Sequence, residues 1–235
     1  MGFFPIVALP ALTPSAGCYL AAYLVGCLAF VLMAKRRRLL TEGIGRTSLV
    51  ALVGGLVGAN VTQYLASGSA GKTVLGGLAG GYLSVVLYKR MIGLRRPTGD
   101  LFAVALMAGE GVGRWGCFLG GCCFGRTCDL PFAVYQHDAW RHPAQLYLSL
   151  ACFTILGILL FVEFRRPLPE NGLFYLQGLL YCPARFLAEY FREGHLFALG
   201  LTLAQWCCLA GFVFFLVRWR QMQSETEGKH AVRPG

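Results

Sequence analysis

Residues 16–38 read AGCYLAAYLVGCLAFVLMAKRRR, an apolar run that ends in four basic residues. A helix needs about 20 mostly apolar residues to cross a bilayer, and Ala16–Ala34 meets that length. Cytoplasmic loops are enriched in Lys and Arg, so the cluster Lys35–Arg38 marks the cytoplasmic end of this span. The stretch predicts a membrane protein whose first helix runs from the outside to the inside.

The composition of the whole chain agrees with a membrane protein. Of its 235 residues, 56% are hydrophobic and only 14% are charged. Soluble domains carry about a quarter charged residues, so this composition argues against a soluble globular enzyme. The net charge of +10 comes from short basic clusters beside apolar runs. Such clusters indicate topology signals and anionic lipid headgroups, and no nucleic-acid partner is expected.

Seven apolar segments are candidates for membrane spans: Ala16–Ala34, Thr47–Ala66, Thr73–Tyr88, Leu101–Leu119, Ala144–Val162, Leu173–Tyr190 and Leu196–Val217. With seven spans, the basic clusters after spans one, three, five and seven fall on one side and hold fifteen of the 21 Lys and Arg residues. We therefore predict an all-α multi-pass membrane protein with its N-terminus outside and its C-terminus in the cytoplasm. Residues 1–220 would form the transmembrane domain, and the polar residues 221–235 a disordered cytoplasmic tail.

Ionisable residues within the fourth and sixth spans are the first candidates for a functional site. A charged side chain in a span costs at least about 2.5–3.5 kcal/mol on insertion scales. Glu110 and Arg114 are four residues apart and share a helix face, and Arg185, Glu189 and Arg192 form a second stripe. Arginines here could converge on a phosphate group. Alternatively, these residues form ion pairs that only lock the bundle.

The segment before the fifth span offers a proton acceptor. His142 precedes Pro143, which holds the histidine backbone extended and suits the first turn of a helix. An imidazole at a fixed helix entrance can carry protons near neutral pH. In the alternative interpretation, His142 and Tyr147 only anchor the helix at the membrane interface.

Four of the ten cysteines follow the fourth span in the pattern C-x4-C-C-x4-C: Cys117, Cys122, Cys123 and Cys128. Thiolates could bind zinc or serve redox chemistry, but no C-x2-C pair occurs. Cysteines in apolar stretches usually act as small buried side chains, and Gly120 and Gly121 also favour close packing. We therefore expect neither a metal nor a cofactor here, and no role for Cys122 as a metal ligand or nucleophile. An extracytoplasmic disulfide remains an alternative.

Four motifs, in order along the chain, resemble those of bacterial prolipoprotein diacylglyceryl transferases. Residues 113–125 (GRWGCFLGGCCFG) resemble the family signature G-R-x-(G/A)-N-F-x-N-x-E-x-x-G. Residues 142–147 (HPAQLY) resemble H-P-(S/T)-Q-L-Y, and residues 185–192 (RFLAEYFR) resemble R-F-x-x-E-(F/Y)-F-R. Residues 200–205 (GLTLAQ) resemble the G-L-T-M-G-Q that opens the last span of the family.

The resemblance implies a multi-pass enzyme of the bacterial cytoplasmic (inner) membrane. Its reaction would move the diacylglyceryl group of phosphatidylglycerol onto the cysteine thiol of a prolipoprotein. The implied partners are phosphatidylglycerol, the prolipoprotein signal peptide and membrane lipids. The implied catalytic residues are Arg114, Arg185, Glu189 and His142. The residues implied to bind phosphatidylglycerol are Arg114, Arg185, Gly113, Gly125, Gln145 and Tyr147.

The chain departs from the family at four motif positions. Cys117 and Gly120 replace the two signature asparagines, and Cys122 replaces the signature glutamate. Leu75 stands where the H-G-G of the family's third span has its histidine. These departures leave two alternatives open: a non-catalytic lipid-binding or assembly paralogue, and a membrane thiol-redox or metal protein that uses the cysteines from Cys117 to Cys128.

Overall fold

The computed structural model describes residues 13–67, 74–194 and 196–231. Within these residues it contains seven helices: α1 (Pro14–Arg36), α2 (Glu42–Ser67), α3 (Val74–Met91), α4 (Gly99–Leu119), α5 (Ala144–Arg165), α6 (Gly172–Tyr190) and α7 (Leu203–Ala231). One antiparallel hairpin, β1 (Val134–Gln136) with β2 (Ala139–Arg141), lies between α4 and α5. Each of the seven predicted segments overlaps one helix, so the predicted helical architecture is confirmed. Thr73, the predicted start of the third span, lies outside the described residues.

Four helices in the described part of the chain are long and apolar enough to cross a membrane: Pro14–Arg36, Gly43–Thr62, Ala144–Arg165 and Leu203–Glu227. α3, α4 and α6 are not among these four; α4 and α6 carry the ionisable residues that the sequence singled out. The chain is thus a helical protein with several membrane-spanning candidates. The count of seven spans stays a prediction.

α4 lies at the centre of the bundle, where it packs against α1, α5 and α6. The core between these helices contains Phe30, Leu101, Met107, Leu148, Leu159 and Leu173, all nearly fully buried. α1 and α4 approach closely at two glycines: a Cβ atom on Gly109 would lie 3.1 Å from the carbonyl oxygen of Ala22 and 3.6 Å from Cα of Gly26. Small residues allow this close crossing. The crossing brings Tyr19 of α1 beside the C-terminal end of α4.

One end of the bundle is held by a buried ion cluster around Arg37. Its Nη1 donates to Oδ2 of Asp100 at 2.5 Å, and its Nη2 donates to Oε2 of Glu163 at 2.6 Å. Asp100 also accepts hydrogen bonds from the backbone N–H groups of Asn171 at 3.0 Å and Phe174 at 3.1 Å. The cluster ties α1, α4, α5 and α6 together. One arginine of the basic cluster after α1 is therefore a structural residue.

The seventh helix begins later than the sequence predicted, at Leu203 instead of Leu196. Leu199 and Gly200 have φ angles of +52° and +71°, which a helix does not allow. Thr202 and Gln205 then form a capping box: Oγ1 of Thr202 accepts from N–H of Gln205 at 3.3 Å, and Oε1 of Gln205 accepts from N–H of Thr202 at 2.9 Å. The motif GLTLAQ is thus a helix start.

α7 also continues further than predicted. Residues 221–235 were predicted to be disordered, whereas the helix runs to Ala231. This polar stretch is rich in Gln, Glu, Lys and Met, which are good helix formers, so the helix has no local reason to end at Arg220. The expectation of disorder is therefore corrected for residues 221–231, and residues 232–235 lie outside the described part of the chain.

Candidate active site

An ion pair on α4 is linked to α6 by a tyrosine. Nη2 of Arg114 donates to Oε1 of Glu110 one helical turn away, as their spacing predicted. The hydroxyl of Tyr181 on α6 donates to the same oxygen at 2.6 Å. The side chains of Arg114 and Glu110 are 16% and 24% exposed, so the pair is largely shielded. Tyr181 lies four residues before Arg185 on α6, but its contact with Glu110 joins two helices, so the spacing alone could not have identified it.

Glu189 lies at the centre of the second charged stripe. It is 6% exposed and accepts hydrogen bonds from Arg185, from Nη1 of Arg192 at 2.9 Å and from the hydroxyl of Thr202 at 3.2 Å. A carboxylate with three donors is stabilised in its ionised form. This geometry fits a residue that positions Arg185 and Arg192 better than one that accepts a substrate proton.

The segment between α4 and β1 is attached to the end of α6 and to the start of α5. N–H of Arg126 donates to the carbonyl oxygen of Phe191 at 2.9 Å, and N–H of His142 donates to the carbonyl oxygen of Arg126 at 3.0 Å. Gly125 lies between these elements, and a Cβ atom there would collide with His142 and lie 2.8 Å from the carbonyl oxygen of Phe191. The signature glycine at this position is therefore needed for a close backbone approach.

His142 is half-buried among aromatic side chains. Its Nδ1 lies 3.2 Å from the hydroxyl of Tyr147, and its ring centroid lies 5.2 Å from that of Phe191. Tyr147 packs edge-on against the same phenylalanine, with centroids 5.5 Å apart. The structure thus brings His142 and Tyr147 together, a contact that the sequence analysis did not predict.

Gln145 and Gly113 occupy two different environments. Gln145 is 2% exposed, and its Nε2 donates to the carbonyl oxygen of Cys122 at 2.9 Å and to Oε1 of Gln136 at 3.3 Å. Its own Oε1 is buried without a hydrogen-bond partner in the described residues. Gly113 faces α1, where a Cβ atom would make an ordinary contact of 3.6 Å with Cβ of Ala22. Lipid binding by either residue stays a prediction.

Three of the four clustered thiols meet beyond the end of α4. The Sγ atoms of Cys117, Cys122 and Cys123 lie within 4.8 Å of one another, and Cys128 is not part of this group. The hydrogen bond from Cys117, together with the charges of Arg192 and Arg114, lowers the pKa of the Cys123 thiol below its usual range. The sequence placed these cysteines in one segment but did not predict that three thiols converge.

An open apolar groove of about 370 Å³ runs between α5 and α6. It is lined by Tyr147, Leu150, Ala151, Thr154, Ile155 and Ala184. Tyr147 contacts His142, so one end of the groove adjoins the candidate proton acceptor.

The two signature glycines give a testable contrast. We expect Gly125→Ala to lower the free energy of unfolding by about 1–3 kcal/mol, because its Cβ would overlap neighbouring backbone and side-chain atoms. Gly113→Ala has room for its methyl group and gains helix propensity, so it should leave that free energy unchanged or raise it by up to about 1 kcal/mol. Denaturant unfolding of both variants in detergent measures the difference. Equal stability of the two variants would contradict the packing that we describe.

The sequence profile of the family described as prolipoprotein diacylglyceryl transferase matches residues 15–220. Phosphatidylglycerol–prolipoprotein diacylglyceryl transferase of Polynucleobacter asymbioticus is 33% identical over 159 residues, which cover 63% of this chain and 61% of that protein. The enzyme of the same name from Acaryochloris marina is 31% identical over 153 residues, covering 60% of this chain and 56% of the relative. The one from Clostridium tetani is 27% identical over 200 residues, covering 74% and 80%. The match thus spans about three fifths of the length of the first two relatives.

Proposed function

Because the chain belongs to the prolipoprotein diacylglyceryl transferase family, we propose that it transfers the diacylglyceryl group of phosphatidylglycerol to the cysteine thiol of a prolipoprotein. The resemblance drawn from the four motifs is confirmed by the family match, which covers all of them. The observation that carries the proposal is the placement of Arg114 and Arg185 on the two packed helices α4 and α6, each held by a carboxylate on its own helix.

The reaction requires a stabilised leaving group. A C–S bond forms at the glyceryl carbon while its C–O bond to phosphate breaks, and glycerol phosphate leaves with the electron pair. Within the described residues, the hydrogen bonds of Arg114 run through Nη2 and those of Arg185 through Nη1. The other guanidinium nitrogens are left to donate to phosphate oxygens. Oriented donors in a shielded site stabilise the charge that develops on the leaving group.

The acceptor thiol must also lose its proton. His142 is the proton acceptor that we propose, since its Nδ1 can donate to the hydroxyl of Tyr147 while Nε2 has no hydrogen-bond partner among the described residues. Glu189 takes the positioning role, because its three hydrogen bonds commit it to Arg185, Arg192 and Thr202. Arg114 and Arg185 then stabilise the phosphate leaving group, and His142 accepts the proton of the acceptor thiol.

The groove between α5 and α6 suits an acyl chain of the donor lipid. Its volume of about 370 Å³ lies within the range of roughly 300–1,000 Å³ that is typical of small-molecule sites, and its lining is mainly apolar. A chain lying there would place the glycerol backbone near Tyr147 and His142. Gln145 and Gly125 would then shape the headgroup end of the site, beside the segment that connects α4 to β1.

We further propose that all seven helices span the cytoplasmic membrane of a bacterium, with the candidate site near the outer leaflet. A reporter fused after Arg220 should then be located in the cytoplasm. A tag within residues 127–139 should be accessible from outside the cell. The basis is the asymmetry of Lys and Arg between the two sides. Cysteine-labelling or reporter fusions in cells measure both positions. A cytoplasmic location for residues 127–139 would contradict both the topology and the position of the site.

The proposed function is tested with purified protein, phosphatidylglycerol vesicles and a synthetic lipobox peptide. We expect mass spectrometry to show one diacylglyceryl group added to the cysteine peptide and none on the matched serine peptide. Phosphatidylethanolamine vesicles serve as the lipid control. Binding of phosphatidylglycerol without any modified peptide would instead identify a lipid-binding paralogue.

A further inference from the structure

The thiols of Cys117, Cys122 and Cys123, which lie within 4.8 Å of one another, have no part in the reaction as outlined above. We propose that these three thiols bind one zinc ion, and that the acceptor thiol occupies the fourth position of that ion. The first part stands on the geometry of this chain alone, whereas the second rests on the proposed function. Cys117 and Cys122 stand where the family signature has Asn and Glu, so the site would be a property of this chain.

The end of α4 explains how two of the thiols meet. N–H of Gly121 donates to the carbonyl oxygen of Phe118 at 3.2 Å, and N–H of Cys122 donates to that of Cys117 at 3.1 Å. With Gly121 at φ +65°, these two bonds form a Schellman motif. Such a motif folds the second residue after the C-cap back onto the last turn of the helix. The thiol of Cys122 therefore lies close to the thiol of Cys117.

Cys123 provides the third thiol, and an unusual backbone conformation places it. Successive side chains of an extended segment point in opposite directions, so adjacent cysteines do not ordinarily face one centre. Cys123 has a φ of +58°, a left-handed conformation that is rare for residues other than glycine. This turn lets the Cys123 thiol reach the same centre as its neighbour. Strained conformations of this kind concentrate at functional sites.

The dimensions of the cluster suit zinc. Tetrahedral zinc holds each sulfur at about 2.3 Å, which places the sulfurs about 3.8 Å apart. Since the three sulfurs lie within 4.8 Å of one another, each pair has to close by no more than about 1 Å. Cys122 is exposed while Cys117 and Cys123 are partly buried, so one side of the cluster is open. Three protein ligands and one open position are the arrangement of catalytic zinc sites.

Neighbouring groups would support the charge and orientation of the thiolates. The hydroxyl of Tyr19 donates to Sγ of Cys117 at 3.4 Å and lies 3.7 Å from Sγ of Cys122. Nε2 of Gln145 donates a hydrogen bond to the carbonyl oxygen of Cys122 at 2.9 Å. Three thiolates around Zn²⁺ carry a net charge of −1, and Arg114, which pairs with Glu110, lies one helical turn before Cys117. Such outer contacts orient and tune metal ligands.

The chemistry balances without any redox step. The acceptor thiol binds zinc as a thiolate and gives its proton to His142 or to water. Its sulfur then forms the C–S bond while the C–O bond to phosphate breaks, and glycerol phosphate leaves with the electron pair. The product is a neutral thioether, which is a weaker zinc ligand than a thiolate and can depart. Zinc would thereby activate the nucleophile at neutral pH.

A zinc site at these cysteines is the opposite of what the sequence analysis predicts. That expectation rested on the missing C-x2-C pair and on the apolar surroundings. It did not include the turn that joins Cys122 to Cys117, nor the left-handed conformation of Cys123. Glycines 120 and 121, which suggested packing alone, instead build the turn.

The metal site is tested by elemental analysis of the purified full-length protein after incubation with zinc chloride and desalting. We expect one zinc ion per chain in the wild type, and loss of most of that zinc in Cys117→Ser and in Cys123→Ser. Cys128→Ser is the matched control and should keep its zinc, because Cys128 lies in the same segment but outside the cluster. A wild-type chain without zinc, or with a disulfide among the three cysteines, overturns the proposal.

Transfer measured before and after chelation separates this proposal from the proposed function. If zinc activates the acceptor, transfer to the cysteine peptide should fall at least about tenfold after chelation and return when zinc is added. Unchanged transfer by zinc-free protein overturns the zinc proposal and leaves the transferase function intact. Stoichiometric zinc with no transfer supports the metal site and contradicts the transferase function.

Discussion

Replacing Arg114 or Arg185 by lysine is expected to lower the rate of diacylglyceryl transfer by a few hundredfold. Each guanidinium already donates to a carboxylate on its own helix and must use its remaining nitrogens for the phosphate. Lysine keeps the positive charge but cannot make both contacts in a fixed geometry. Losing one oriented donor to a developing charge costs about 3–4 kcal/mol. The measurement is kcat for a lipobox peptide with phosphatidylglycerol vesicles.

Arg126→Lys is the matched control for these two variants. Arg126 is exposed in the same region, and its Nε donates to the carbonyl oxygen of Arg192 at 3.1 Å. We expect its turnover to stay near that of the wild type. Near-normal kcat in both Arg114→Lys and Arg185→Lys would contradict the phosphate role. A rise in KM alone would mean that the arginines bind the lipid equally in the ground state and the transition state.

Replacing Arg37 by alanine is expected to destabilise the protein by about 3–5 kcal/mol, because it removes the arginine that the buried carboxylates Asp100 and Glu163 share. Glu163 keeps only a longer ion pair with Arg36, at 3.6 Å. Asp100 and Glu163 are 5% and 3% exposed, and both accept hydrogen bonds from Arg37. For a chain of this size, that loss corresponds to a decrease in Tm of roughly 6–20 °C. Thermal unfolding in detergent measures it.

Lys35→Ala provides the comparison for Arg37→Ala. Lys35 belongs to the same basic cluster and is exposed, so its removal should leave Tm almost unchanged. Equal decreases in Tm for the two variants would indicate that the cluster acts only through its total charge. The ion cluster that joins α1, α4, α5 and α6 would then not stabilise the bundle.

The helices were largely predictable because long apolar runs have few alternatives to the helix in a membrane. α5 begins at Ala144, as predicted, since Pro143 fixes its start. The start of α7 was missed because residues 196–202 are apolar enough to resemble a span. The positive φ angles of Leu199 and Gly200 prevent a helix in this segment, and the capping box of Thr202 and Gln205 starts α7 after it.

The local part of the candidate site was also predictable. The pairs Glu110–Arg114 and Arg185–Glu189 form on single helices, so their i, i+4 spacing identifies them. The hydrogen bond from Tyr181 to Glu110 and the one from Thr202 to Glu189 join different helices and depend on how those helices pack. Sequence spacing carries no direct information on such contacts.

The roles of Arg37 and of the clustered cysteines were also not predicted from the sequence. Arg37 was grouped with its basic neighbours as a topology signal, because its partners Asp100 and Glu163 lie far away in the sequence. The three thiols meet only because the helix end turns back and Cys123 takes a left-handed conformation. The partners of Arg37 are set by tertiary packing and the convergence of the thiols by the local backbone of one turn, and composition and periodicity predict neither.

The central claim, that a diacylglyceryl group moves from phosphatidylglycerol to a thiol, is tested most directly with doubly labelled lipid. The phosphatidylglycerol carries one isotope in its acyl chains and another in its phosphate. We predict that the purified protein places the acyl label on the cysteine peptide and releases labelled glycerol phosphate in equal amounts. Retention of both labels in the lipid, or acyl label on the peptide without released phosphate, would contradict the account.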